Sequence, residues 1–140
     1  MKQYFFICLI ALLAVTSGQA QSQVKDYKIV FDITSKDTNV HKAVIRWCNE
    51  IAAAYPDAKL EVVYYGQSLE MITLGKSVVA NDVTRLASGK NVTFSVCSVA
   101  MKRWNIDKSQ LLPGVTTVPD GIYEILQKQR EGYGYIKAGL

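Results

Sequence analysis

Short runs of β-branched and aromatic residues alternate along this chain with stretches whose apolar positions recur every three or four residues. The run 27-YKIVFDI-33 has few polar positions and reads as a buried strand. Ser35 to Thr38 supply turn and N-cap residues. Val40, Val44, Trp47, Cys48, Ile51 and Ala52 then share one face of a helix from Asn39 to about Tyr55, which Pro56 ends. A second strand, 60-LEVVYYG-66, stops at a glycine, and Ser68 to Gly75 reads as a short helical or loop segment. Val79, Val83 and Leu86 share a face of a helix over Val78 to Ser88, with Gly89 as its stop. The third strand is 91-NVTFSVC-97, followed by a helical turn from Ser98 to about Trp104. A brief strand, Val115 to Val118, lies between turn signals. Asp120 caps a helix from Gly121 to about Arg130, and 133-YGYIKA-138 is the last strand.

Strand and helix thus alternate with short connections. That order predicts a parallel sheet with helices on both faces, a three-layer α/β/α sandwich in one domain over residues 21–140. The first residues follow another pattern. Lys2 precedes an almost wholly apolar run, Phe5 to Val15, and Ser17-Gly18-Gln19-Ala20 puts small residues at a cleavage site. Residues 1–20 read as a Sec-type signal peptide, which predicts a periplasmic or secreted protein. The run is about 11 residues, short for a bilayer span. No stable membrane anchor is therefore expected after cleavage; an uncleaved anchor is the alternative.

Composition narrows the function classes. With 49% hydrophobic residues the chain can build a core without disulfide staples. Loss of Lys2 lowers the net charge from +4 to +3, and the charges are interspersed with no basic stripe, so nothing points to nucleic acid. The glycines form neither GxGxxG nor a P-loop. His41 is the only histidine and there is no CxxC, so no metal or organic cofactor is expected. Asn91-Val92-Thr93 matches a glycosylation sequon but opens a strand and is read as chance.

Cys8 leaves with the leader, so two cysteines remain. Cys48 sits beside Trp47 on an apolar helix face and reads as core. A disulfide to Cys97 would need a mid-helix position and a strand end to be close neighbours. Cys97 differs, because ligands of open parallel sheets bind outside the carboxyl ends of the strands. Those ends fall at Asp32 to Ser35, Gly66 to Ser68, Cys97-Ser98 and Pro119 to Gly121. Only Cys97 among them is an intrinsic nucleophile. The positive end of a following helix, with Lys102 and Arg103 nearby, would favour a thiolate there. A small buried thiol is the competing reading. Asp32, Gly66, Gln67, Ser98, Val99, Pro119 and Gly121 are the residues that would surround such a cleft. Asp32, Asp37 and Glu70 also suit caps and solvated turns. Tyr64, Tyr65 and Trp104 suit a pocket, an oligomer face or the core.

The strands "KIVFDI" and "LEVVYYG", the segment "VTFSVCSVAMKRWNI" and above all the tail "LLPGVTTVPDGIYEILQKQREGYGYIKAG" resemble the DsrE/DsrF-like family of sulfur-handling proteins, from Lys28 to Leu140. The resemblance implies a five-stranded, mainly parallel sheet in an α/β/α sandwich and assembly into homo-oligomers, trimers or hexamers. It also implies that the cysteine at this strand end carries sulfur as a persulfide, a role that maps onto Cys97 alone. Gly66, Pro119 and Gly121 match framework positions around the same cleft. The export signal departs from the cytoplasmic relay members, whose partners this chain would not meet.

The expected function is an exported sulfur-carrier or thiol-binding protein that holds sulfur on Cys97 and passes it to an acceptor thiol, with a small sulfur compound or an acceptor thiol protein as partner. A non-catalytic oligomeric module that binds a small ligand, and a thiol redox sensor, are the alternatives.

Overall fold

The computed structural model describes residues 26–139. The leader read in residues 1–20 lies outside them. Five strands form one sheet: β1 (Lys28–Ile33), β2 (Lys59–Tyr64), β3 (Val92–Cys97), β4 (Thr116–Val118) and β5 (Gly134–Ala138). Their order is β4-β3-β2-β1-β5, and every pairing is parallel. The helices are α1 (Thr38–Ala54), α2 (Ala80–Ala87), α3 (Ser98–Arg103) and α4 (Gly121–Arg130), with 3₁₀ turns at Ser68–Ile72 and Lys108–Gln110. The expected three-layer α/β/α sandwich is the observed fold.

The strand order dictates which helix covers which face. From β1 to β4 the chain steps across the sheet in one direction, and right-handed crossovers then keep the intervening segments on one face. Side chains of α1, α2 and α3 pack there on Phe31, Ile33, Leu60, Val62, Tyr64, Phe94 and Val96. From β4 the chain steps back to the far side of β1, so α4 crosses the opposite face, where Ile125 meets Val30 and Val63.

Local chemistry sets the element ends. Asp37 caps α1 by accepting from the Asn39 N–H at 2.8 Å, and Asp120 caps α4 by accepting from Ile122 N–H at 2.8 Å and Tyr123 N–H at 3.2 Å. After β2 the backbone turns at Gly66, whose φ of +66° is left-handed. A β-carbon there would lie 3.2 Å from Thr34 Cβ.

The buried face of α1 is rotated from the sequence expectation. Val44 and Cys48 are buried, but so are His41 and Ile45, whereas Val40, Trp47, Ile51 and Ala52 are only half-buried. His41 is tolerated because its Nε2–H donates to the Ser35 carbonyl at 2.9 Å. Trp47 still stacks on Phe31, with ring centroids 6.0 Å apart.

Candidate functional site at the carboxyl ends of the strands

The loop after β3 enters α3 on one face, and the loop after β4 enters α4 on the other. Adjacent strands whose connections part in this way leave a crevice at their carboxyl ends, the usual ligand position in open parallel sheets. Cys97 ends β3 and pairs with Val118 of β4, so it stands at that switch point. It is also the N-cap residue of α3.

Side-chain alternation assigns Cys97 to the face covered by α4. Two residues earlier, Ser95 points to the same face and donates to Glu61 at 2.7 Å. Gly121, the first residue of α4, packs directly over the cysteine. A β-carbon at Gly121 would stand 3.1 Å from Cys97 Cβ, 3.3 Å from Val63 Cγ1 and 3.6 Å from Tyr65 Cδ1. Glycine is what permits this approach of helix to strand end. Cys97 itself is buried, with 6% of its surface exposed.

Tyr65 is the cross-strand neighbour of Cys97. The register pairs Tyr64 with Val96, which sets Tyr65 beside Cys97 one residue further on. The Tyr65 hydroxyl donates to Asp32 Oδ2 at 3.0 Å. The Tyr135 hydroxyl donates to the same oxygen at 2.7 Å, and Lys137 Nζ donates to Asp32 Oδ1 at 2.9 Å and to Thr34 Oγ1 at 2.8 Å. Lys137 Nζ also lies 5.6 Å from the centre of the Tyr65 ring. A polar row therefore runs across one sheet face through Lys137, Asp32, Tyr65 and Cys97.

The electrostatics follow from that row. Burial, and then the hydrogen bond to Asp32, hold the Tyr65 phenol well above the ordinary tyrosine range. Tyr135 is pushed up to about 12, chiefly by its own hydrogen bond to Asp32. Both phenols thus stay protonated donors. Asp32 is neither a cap nor a solvated turn residue, the competing reading for it; it is 5% exposed and holds three donors. A buried carboxylate requires such partners.

A second polar group lies further along the same face. Glu61, buried at 5% exposure, accepts from Ser95 and pairs with Lys128 of α4 at 3.3 Å. Burial and the adjacent Glu61 carboxylate raise the pKa of Glu124. Lys128 keeps a raised pKa although burial pulls it down, because Glu61 and Glu131 surround it. The pairing ties α4 to the sheet under which Cys97 sits.

The remaining expected cleft residues divide between two places. Gly66 and Gln67 line a separate cavity of about 250 Å³ with Lys36, Leu69, Glu70, Lys76, Trp104 and Ile106. Cys97 is not among its lining residues. Pro119 is exposed beside the Asp120 cap, Ser98 is half-buried, and Val99 is 56% exposed on α3. Lys102 and Arg103 lie exposed in the last turn of α3, so the cation in the polar row with Asp32 and Tyr65 is Lys137 instead. Cys48 is fully buried on the opposite face of the sheet, unbonded to Cys97, with burial pushing its thiol up to about 12. Both cysteines are free, so the disulfide is not formed. Among the described residues no group of three or more His, Cys, Asp or Glu could hold a metal, and no helix is long and apolar enough to cross a membrane.

Comparison with known proteins adds the family. The chain matches the DsrE/DsrF-like family model over residues 28–138. It is similar to a solved protein of unknown function, MTH1491 from Methanobacterium thermoautotrophicum, with 30% identity and a TM-score of 0.74 over 80% of this chain and 99% of that one. It shares its fold with the ychN protein from E. coli, with 13% identity and a TM-score of 0.66 over 79% and 97% of the two chains. No functionally curated protein matches it. On the extent of the family match and the shared architecture, this chain belongs to the DsrE/DsrF-like family.

Proposed function

We propose that the protein is a sulfur carrier that holds one sulfur atom on Cys97 as a persulfide and passes it to an acceptor thiol. The observation that carries this reading is the position of Cys97 at the β3/β4 switch point, beneath Gly121 and beside Tyr65, in a chain of this family. In loading, Cys97 Sγ attacks a terminal sulfur of an inorganic polysulfide. The new Sγ–S bond forms as the donor's S–S bond breaks. The electron pair and the thiol proton leave on the shortened polysulfide, and no outside oxidant is needed. In transfer, an acceptor thiolate attacks the outer sulfur of the protonated persulfide, and Cys97 departs as thiolate.

The leader in residues 1–20 supports an exported carrier, periplasmic or secreted. Ile122, Tyr123 and Leu126 form an exposed apolar stripe on α4, and Tyr135 and Ile136 are exposed on edge strand β5. Both features support assembly with further copies of the chain, as a trimer or hexamer. The test is intact mass after polysulfide treatment. Wild type and Cys48→Ser should each gain one sulfur that reductant removes, and Cys97→Ser should gain none. Equal loading of the two variants would exclude Cys97 as the carrier.

One observation favours a second reading. Cys97 is only 6% exposed, while the separate cavity offers Trp104 and two lysines to a small ligand. In a pure binding module, ligand would bind Cys97→Ala as tightly as wild type and no sulfur would load.

A further inference from the structure

We infer that Lys137 is the anion-recognising residue of the Cys97 site, so that the site selects inorganic sulfane anions over neutral sulfur compounds. This rests on the sulfur-carrier reading and names its donor class. Lys137 lies on the α4-covered face of the sheet, the face to which Cys97 points, because it pairs with Asp32 in the β5–β1 register. Its ammonium is linked to the cysteine through one side chain: it lies 5.6 Å from the centre of the Tyr65 ring, and Tyr65 is the strand neighbour of Cys97. Asp32 and Thr34 take two of its three N–H donors, which fixes the ammonium in place and leaves the third free for a ligand.

The arrangement is oriented. The Lys137 side chain is 38% exposed and the Asp32 side chain only 7%. The ammonium is thus the more accessible half of the pair, and two phenol hydroxyls draw off part of the carboxylate's charge. Such a fixed positive group raises the encounter rate of anions with this face of the sheet, where the thiol lies beyond Asp32 and Tyr65, and leaves neutral reagents unaffected. Lys102 and Arg103 lack this geometry, being exposed on the last turn of α3.

The experiment compares Cys97 in the chain from residue 21 onward toward iodoacetate, which is anionic, and iodoacetamide, which is neutral, in parallel with polysulfide loading. A Cys48→Ser background leaves one thiol in the mature protein. Lys137→Gln should lower the iodoacetate-to-iodoacetamide rate ratio by about threefold to tenfold and slow polysulfide loading to a similar extent. Lys137→Arg should keep most of the wild-type ratio. Added salt should lower the ratio in the unmutated chain, a readout that does not depend on the variants folding. A ratio unmoved by Lys137→Gln and by salt, with loading intact, would overturn the role of Lys137 and leave the carrier reading standing. No loading of the unmutated chain would instead overturn the carrier reading, and the donor class with it.

Discussion

Tyr64 and Tyr65 are adjacent in sequence and stand on opposite faces of the sheet. Tyr64 is fully buried against Phe94, and its hydroxyl has no hydrogen-bond partner among the described residues. Tyr65 is half-buried beside Cys97, and its hydroxyl is held by Asp32. The same side chain thus serves as bulk on one face and as a polar strut on the other. The face under α1, α2 and α3 is a packed hydrocarbon layer. The face under α4 carries Asp32, Glu61, Ser95, Cys97 and Lys137, with only Val30, Val63 and Ile125 as its buried apolar cluster. One face supplies the stability that lets the other hold buried charge next to a thiol.

The comparison breaks most forcefully in the packed layer. Phe94 is fully buried on β3, and Phe94→Ala should cost about 3–5 kcal/mol in denaturant unfolding. On the other face, Asp32→Ala should cost less, about 1–3 kcal/mol, because Tyr135 and Lys137 can turn to water once their acceptor is gone. The two tyrosines give the sharpest contrast. Tyr64→Phe removes an unpaired buried hydroxyl and should be neutral or stabilising by about 1 kcal/mol, whereas Tyr65→Phe should destabilise by about 1 kcal/mol. Both values come from the same unfolding curves, and equal shifts would dissolve the distinction between the faces.

The smallest effect is alkaline. The hydrogen bond to Asp32 pushes the Tyr135 phenol up to about 12 from its ordinary value of about 10, so the protonated phenol favours the fold. That contribution is fully present below about pH 10 and is lost as pH rises toward 12. It is small, because Tyr135 is 45% exposed. Tyr135→Phe should therefore shallow the fall in melting temperature across that window.

Most of the architecture was legible because it rests on local signals. The β-branched runs, the Asp120 cap and the Val79, Val83 and Leu86 stripe all act within a few residues of themselves. Cys48 read correctly as core for the same reason. The polar row was not legible, because Asp32 meets its partners across 33, 103 and 105 residues of sequence. A signal did exist: Asp32 and Glu61 are charged positions inside otherwise apolar strand runs, and a charge buried there must find a partner. The alternation Tyr135, Lys137 in the last strand offers that partner, but only once β5 is known to lie beside β1. The rotated face of α1 was missed because the His41 to Ser35 bond hides a polar residue in an apolar position.

The most direct test of the division between the two faces is a site-resolved map of sulfur on the folded wild-type protein. After brief polysulfide exposure, free thiols and persulfides are trapped and the peptides containing Cys48 and Cys97 are analysed separately. The account predicts sulfur on Cys97, with Cys48 unmodified and unreactive until the protein unfolds. Sulfur shared between the two peptides, or a Cys97 as inert as Cys48 in the folded state, would contradict it.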